Sequence, residues 1–277
     1  MKVLIIGSGG NLGQELMQVY ADANPVGWTR ADLDITDEQA VWDKLNELKP
    51  NLVYNCAAYN DIDRAEGDRV NADLVNGYAA GYIAKACKAV NATLIQYSTG
   101  MVFDGESNTG YLEDDMPSPI NAFGRSKFLG EMEVQENSDN FYIIRTSTLF
   151  GKSYNSKKKT FIDSVIEQGV LSKTINAVDD ELSNPTYTLD LAQASRALVE
   201  TVKDFGVYHI INTGSTNHFE LAKNILAARK IQAALAPVKG ITTSRIARRP
   251  KYEILNNTRF IELRPWSEAL EAYLNSK

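Results

Sequence analysis

The sequence is poor in the residues from which metal centres and disulfide frameworks are built. It holds two cysteines and two histidines in 277 residues. Cys56 and Cys87 lie far apart in apolar surroundings, and with His209 and His218 they form no metal-ligand spacing. Buried free thiols fit a reducing compartment, so a cytoplasmic protein is expected. No apolar run approaches the ~20 residues that span a bilayer, so no membrane role is expected. The first apolar run, Val3-Leu4-Ile5-Ile6, has the length of a strand and stops at glycine, unlike a signal peptide. Positive charge is not in excess: 29 basic against 35 acidic residues leave a formal net charge of −6. That balance argues against nucleic acid as the main partner. Internal repeats and low-complexity segments are missing too.

What is present is alternation. Strand candidates are Lys2–Ile6, Pro25–Trp28, Leu52–Asn55, Thr93–Ser98 and Tyr142–Arg145. Between them stand helix candidates at Leu12–Ala23, Glu38–Leu48, Asp68–Val90 and Ala122–Glu136. Strands alternating with helices predict an α/β fold with a parallel sheet covered on both faces. Right-handed crossovers make it doubly wound, with ligands at the carboxyl ends of the strands. After Gly151 the pattern loosens. Helices are expected at Phe161–Gln168, Leu189–Val202, Phe219–Ala228 and Ser267–Asn275, and strands at Thr174–Val178 and Val207–Asn212. Residues 1–150 read as a nucleotide-binding domain and 151–277 as a smaller lobe. Asn184-Pro185-Thr186-Tyr187 is expected to return the chain to the main sheet.

The first strand runs into Gly7-Ser8-Gly9-Gly10-Asn11-Leu12-Gly13. Gly7 permits a tight turn, Gly10 lets the backbone approach a pyrophosphate, and Gly13 allows close packing of the helix that follows. The helix N-terminus then faces the anion. A glycine triplet alone is weak evidence, but here it follows a strand and opens a helix, so dinucleotide binding is expected. The second strand ends in Trp28-Thr29-Arg30. No carboxylate stands there to bind ribose hydroxyls, and Arg30 can accommodate a 2′-phosphate, which favours NADP(H) over NAD(H). Asp34 and Ile35 are candidates for the adenine edge. Thr36 and Asp37 compete to cap the next helix.

In Asn121-Ala122-Phe123-Gly124-Arg125-Ser126-Lys127, an aromatic and a lysine four residues apart share one helix face. With tyrosine at 123 that face would be a proton-transfer pair. Phenylalanine keeps the ring and removes the proton.

The glycine loop, Asp32-Leu33-Asp34-Ile35-Thr36-Asp37, Asn55-Cys56-Ala57-Ala58-Tyr59, Tyr97-Ser98-Thr99 and Val102-Phe103-Asp104-Gly105 occur in order. They are followed by Gly124-Arg125-Ser126-Lys127, Arg145-Thr146-Ser147, Asn184-Pro185-Thr186-Tyr187-Thr188 and Arg248-Arg249-Pro250. The chain thereby resembles the dTDP-4-dehydrorhamnose reductases, a branch of the extended short-chain dehydrogenases, over nearly its whole length. The resemblance implies a Rossmann-type domain with a small C-terminal substrate lobe. It implies hydride transfer from NAD(P)H to the 4-keto carbon of a nucleotide-linked sugar. It makes Thr99 the catalytic hydroxyl and Lys127 the lysine that holds the nicotinamide ribose, with Ala57, Ala58 and Tyr59 as the wall beside the cofactor.

The departures fall on the substrate side. Phe123 occupies the family's tyrosine position. Gly100 and Met101 replace an aspartate and a tyrosine, and Thr148 replaces a tryptophan. Glu181 and Ser183 replace glutamine and glycine, and Glu253 stands where a small hydroxyl residue is usual. Tyr59 and Tyr97 are other phenols whose hydroxyls the sequence does not place. Arg249 is a candidate for the substrate pyrophosphate, with a surface ion pair as the alternative. Lys157-Lys158-Lys159 reads as a polar loop, His209 as structural, and His218 as a residue capping a helix start. Three functions remain open: a reductase with altered proton donation or an altered substrate, a weak or inactive cofactor-binding homologue that regulates a partner enzyme, or an epimerase or dehydratase of the wider extended family, against which the loss of the phenol counts. A homodimer is compatible with each.

Overall fold

The computed structural model describes residues 1–154, 159–201 and 204–276. In chain order its first half contains β1 (Val3–Ile6), α1 (Asn11–Val19), β2 (Val26–Trp28), α2 (Glu38–Leu48), β3 (Leu52–Asn55), α3 (Ile62–Gly67) and α4 (Arg69–Asp73). A π-helical turn, Leu74–Tyr78, leads into α5 (Ala79–Ala89), then β4 (Thr93–Thr99), α6 (Ala122–Asn137) and β5 (Phe141–Thr146). The second half contains β6 (Leu149–Phe150), α7 (Phe161–Val170), β7 (Ile175–Val178), β8 (Leu182–Ser183), β9 (Thr186–Tyr187), α8 (Thr188–Thr201), β10 (Gly206–His209) and β11 (Asn212–Thr213). It ends with α9 (His218–Ala228), β12 (Leu235–Val238), β13 (Tyr252–Glu253), β14 (Leu263–Pro265) and α10 (Trp266–Asn275).

Six parallel strands form the main sheet in the order β10-β5-β4-β3-β1-β2. Helices α1 and α8 cover one face, with Leu12, Leu16, Leu191 and Leu198 packed on Val3, Ile5 and Ile95. Helices α2 and α5 cover the other, where Val41, Leu45, Ile83 and Ala84 meet Leu4, Ile6 and Val53. Burial on both faces explains why β1 and β3 are apolar without alternation. The chain reverses its direction of winding between β1 and β3. The carboxyl ends of these two strands therefore open a crevice, the usual ligand site of a doubly wound sheet. A separate core joins Ile162 and Val165 of α7, Leu221 and Ile225 of α9 and Tyr273 of α10.

Several expectations change in detail. Asp37 caps α2, its carboxylate accepting from Ala40 N at 3.0 Å. The helix expected over Asp68–Val90 is interrupted by the π-helical turn, and the first helix ends at Val19, before a tight turn at Ala21–Ala23. Thr186–Tyr187 does not rejoin the main sheet. It pairs with Leu149–Phe150, and β10 is the strand that returns. That strand ends at His209, short of the expected Asn212, with Ile210 N still donating to Arg145 O at 3.0 Å. Residues 157, 158 and 202 lie outside the described residues, while Lys159 pairs with Glu167 at 2.6 Å. Among the described residues no helix is long and apolar enough to cross a membrane, and no cluster of acidic, histidine or cysteine side chains could hold a metal.

Candidate active site

A cleft of about 750 Å³ runs across the carboxyl ends of the main sheet and under the second half of the chain. One end is the glycine loop. Gly7 turns the chain at φ +77°, and a β-carbon there would lie 2.6 Å from Ala57 N. Gly13 seats α1 directly on the loop, where a β-carbon would come within 2.4 Å of Gly7 O. Gly10 caps the helix without any side chain, so α1 presents its amide end, and its partial positive charge, to the cleft. Asn11, Leu12, Ala57 and Ala58 line the same region.

The residues after β2 sit beside this loop, because Gly7 N and Ser8 N both donate to Trp28 O. Asp32 is turned to Thr29, accepting from its amide at 2.8 Å and its hydroxyl at 2.7 Å. Asp34 is likewise held by the Thr36 hydroxyl at 2.7 Å, which keeps its carboxyl below the usual range. Arg30 is exposed, and Ile35 is packed into the core. Gly7, Arg30, Asp34, Ile35, Tyr59 and Gly100 all fall outside the walls of the cleft itself.

The middle of the cleft is built on α6. Asn121 caps the helix, accepting from Gly124 N at 2.7 Å, and its amide also donates to Arg248 O at 2.9 Å. This cap therefore joins α6 to the C-terminal half. Phe123 and Lys127 follow one turn apart, both lining the cleft. The Lys127 ammonium is buried and donates to Tyr97 O at 2.6 Å. Burial lowers its pKa to about 8, against the opposing pull of Glu131 and Cys56. One turn further on, Glu131 receives Arg145 Nη2 at 2.7 Å, Arg145 Nε and the Ser98 hydroxyl. This network clamps α6 onto β4 and β5.

Phe123 is 7% exposed and rests on Ala65, Ala72 and Ala122. The other two phenols do not stand in for its missing hydroxyl. Tyr97 sends its OH to Ser195 Oγ at 2.8 Å, in the core beneath α8. Tyr59 donates to Asp68 at 3.0 Å and is no part of the cleft wall.

The far side carries Glu253, from sequence no more than a departure from the family pattern. Thr99 Oγ1, at the end of β4, accepts from Met101 N at 3.1 Å and lies 3.3 Å from Glu253 Oε1. Glu253 is 7% exposed. Burial raises its carboxyl to about 8, outweighing the Thr99 hydrogen bond and the positive charge of Arg249. That charge is shared with Asp63, which binds Arg249 Nη1 at 3.1 Å, so the ion pair and the position in the cleft wall coexist. Thr148 lines the cleft with its hydroxyl on Ser183 Oγ at 3.0 Å. Glu181 is held by Arg245 at 2.5 Å, a partner not foreseen from sequence. His218 is not a cap: Asn217 accepts from Glu220 N, and the imidazole packs edge-on against Phe161 and lines the cleft. His209 is buried, with Nδ1 3.0 Å from Asn256 O.

A family model described as the RmlD substrate binding domain matches residues 1–277. This chain belongs to the dTDP-4-dehydrorhamnose reductase family. Within the family, a dTDP-4-dehydrorhamnose reductase of Streptomyces griseus is 35% identical over 280 residues, covering 96% of this chain and 91% of its own. The spore coat polysaccharide biosynthesis protein SpsK of Bacillus subtilis is 31% identical over 282 residues, 100% of this chain and 98% of that one. The crystal structure of dTDP-4-dehydrorhamnose reductase from Bacillus anthracis, in complex with NADP, superposes with a TM-score of 0.95. It has 33% identity and covers 100% of this chain and 99% of that one.

Proposed function

We propose that this chain is an NADP(H)-dependent reductase of a dTDP-linked 4-keto-6-deoxy sugar. The observation that carries this reading is one cleft joining three things: the uncapped amide end of α1 at Gly10, the buried Lys127 ammonium, and the Thr99 hydroxyl. The loop suits a dinucleotide, since only Gly9 has ordinary room for a β-carbon, while Gly10 is tight against Gly7 O at 3.3 Å and Gly7 and Gly13 have no room at all. The NADP complex of the Bacillus anthracis relative supports the choice of cofactor. So does Arg30, exposed after β2, with Asp32 and Asp34 each turned to a threonine through one carboxylate oxygen.

In this reading NADPH, when bound, supplies a hydride. Gly10, Asn11 and the α1 dipole hold its pyrophosphate, Arg30 meets the 2′-phosphate, and Asp34 with Ile35 borders the adenine. Ala57 and Ala58 form the wall beside it. Lys127 orients the nicotinamide ribose, and Thr99 hydrogen-bonds the keto oxygen. Gly100, Met101, Thr148 and Arg249 shape the sugar-nucleotide side, with residues 151–277 as the main substrate lobe.

Phe123 favours a second reading, a cofactor-binding homologue with little turnover. The assay is NADPH oxidation in the presence of dTDP-4-keto-6-deoxy-L-mannose, with the wild-type chain and with Phe123→Tyr. Sugar-dependent oxidation by the wild type is expected. Tight NADPH binding without oxidation, with activity appearing only in Phe123→Tyr, would instead establish the second reading. The glycine loop gives an independent check by NADPH titration. A β-carbon at position 13 would meet Gly7 O at 2.4 Å, so the loop must move. Gly13→Ala is expected to weaken NADPH about tenfold or more, the equivalent of ~1.4 kcal/mol. It should also lower stability by about 1–3 kcal/mol through overpacking.

A further inference from the structure

We propose that the Glu253 carboxyl is the proton source of this site, handing its proton through Thr99 Oγ1 to the substrate oxygen in place of a phenol at position 123. The inference rests on the reductase reading above and adds to it the acid that the reading lacks.

Three positions carry the argument. Phe123 has no proton to give, and the hydroxyls of Tyr59 and Tyr97 are committed elsewhere. Glu253 lines the same cleft and stands 3.3 Å from the hydroxyl of Thr99. Gly100 makes its place: a β-carbon at 100 would lie 2.8 Å from Glu253 Cγ and 3.2 Å from Oε1. Absence of a side chain at 100 and presence of a carboxyl at 253 are thus one feature. The carboxyl is also fixed from its own backbone, since Ser147 Oγ donates to Glu253 O at 3.1 Å and β13 pairs with β8.

The surroundings keep the acid protonated. The charged groups facing it are Arg249, partly neutralised by Asp63, and Glu181, which opposes ionisation. With burial dominant, Glu253 titrates at about 8 and carries its proton at neutral pH. A pKa this close to the working pH suits a general acid.

Hydride from a dihydronicotinamide adds to the carbonyl carbon, and the electron pair of the C=O π bond moves to oxygen. The Thr99 hydroxyl, which at rest donates to Glu253 Oε1, turns its proton to that oxygen as the protonated Glu253 carboxyl turns its O–H to Thr99 Oγ1 and gives up its proton. The products are the secondary alcohol, the oxidised nicotinamide and the Glu253 carboxylate, which is reprotonated from water in the cleft.

The test compares the wild type with Glu253→Gln, Thr99→Val, their double variant, and Glu253→Gln combined with Phe123→Tyr. Glu253→Gln is expected to lower kcat by about 10²-fold or more with NADPH affinity unchanged. The Thr99→Val and Glu253→Gln losses should not multiply, because both cut one path. Phe123→Tyr should restore activity in the Glu253→Gln background. Above pH 8 the wild-type rate should fall more steeply than a single ionisation allows, since Lys127 also titrates near 8. Glu253→Gln should leave one ionisation. Infrared difference spectra of the cofactor-free protein should show a protonated carboxyl that titrates near pH 8 and is missing from Glu253→Gln. A wild-type kcat and pH profile in Glu253→Gln, or a carboxyl already ionised at pH 7, overturns the relay alone. Wild-type protein that binds NADPH and reduces no keto sugar overturns the reductase reading and the relay with it.

Discussion

Glu131→Ala is expected to destabilise the protein by about 3–5 kcal/mol, measured by urea unfolding at neutral pH. Glu131 is 0% exposed and Arg145 3%. Among the described residues, removing the carboxylate leaves the buried guanidinium with Glu113 O, at 3.3 Å, and the face of Phe103. It also deprives the Ser98 hydroxyl of its acceptor. The cost therefore comes from desolvated charge more than from lost attraction. Replacing both partners with apolar side chains of similar volume should cost far less than either single change. If Glu131→Ala unfolds at the wild-type urea midpoint, the network does not hold α6 on the sheet. Glu131→Gln is informative as well, because the Glu131 charge helps to keep Lys127 protonated. The alkaline fall in rate should move to lower pH in that variant.

The stability of Glu253→Gln relative to wild type should grow with pH. The sign follows from the direction of the shift. In the unfolded chain a glutamate ionises near 4.5, whereas in the folded protein Glu253 ionises at about 8. Below pH 4.5 both states hold the proton and the two proteins should unfold alike. Between 4.5 and 8 the unfolded wild type gains the free energy of ionisation and the folded state does not. The wild type thus loses about 1.4 kcal/mol per pH unit from this group, on the order of 5 kcal/mol by pH 8. Glutamine pays no such cost. Thermal unfolding of both proteins from pH 4 to pH 9 reads the difference, and a gap constant across that range would mean that Glu253 is ionised in the folded chain.

The first half of the fold was legible because its physics is local. A strand buried on both faces is apolar throughout, and here a glycine turn follows it, so β1, the loop and the start of α1 could be read from Lys2–Gly13. Helix α2 was read with its observed bounds, Glu38–Leu48, from its apolar spacing. Other elements carried weaker signals. Strand β12 contains Pro237, which lacks a donor and hides an edge strand. Helix α3 is six residues long and half of them are charged, too short for periodicity to speak.

The candidate site divided along the same line. Gly7, Gly10, Gly13 and Lys127 announce themselves by motif spacing. Glu253 was visible as an odd residue after Arg-Pro, and Gly100 as an odd residue after Thr99. Nothing in the sequence says that the two touch, since 154 positions separate Thr99 from Glu253. The meeting depends on where β13 lands beside β8, which is a property of the whole fold. The same holds for Tyr97: its hydroxyl faces α8 because alternate residues of β4 point to opposite faces of the sheet.

The contact between Gly100 and Glu253 also constrains how this site can be altered one residue at a time. A β-carbon at position 100 collides with the Glu253 stem, so a side chain can be gained at 100 only after the one at 253 has shortened. The two positions are epistatic, and the permitted path has an order. A mutational scan that varies single positions will score Gly100 as intolerant and attribute this to the backbone. A library that varies 100, 123 and 253 together will recover combinations that no sequence of independent single gains would reach.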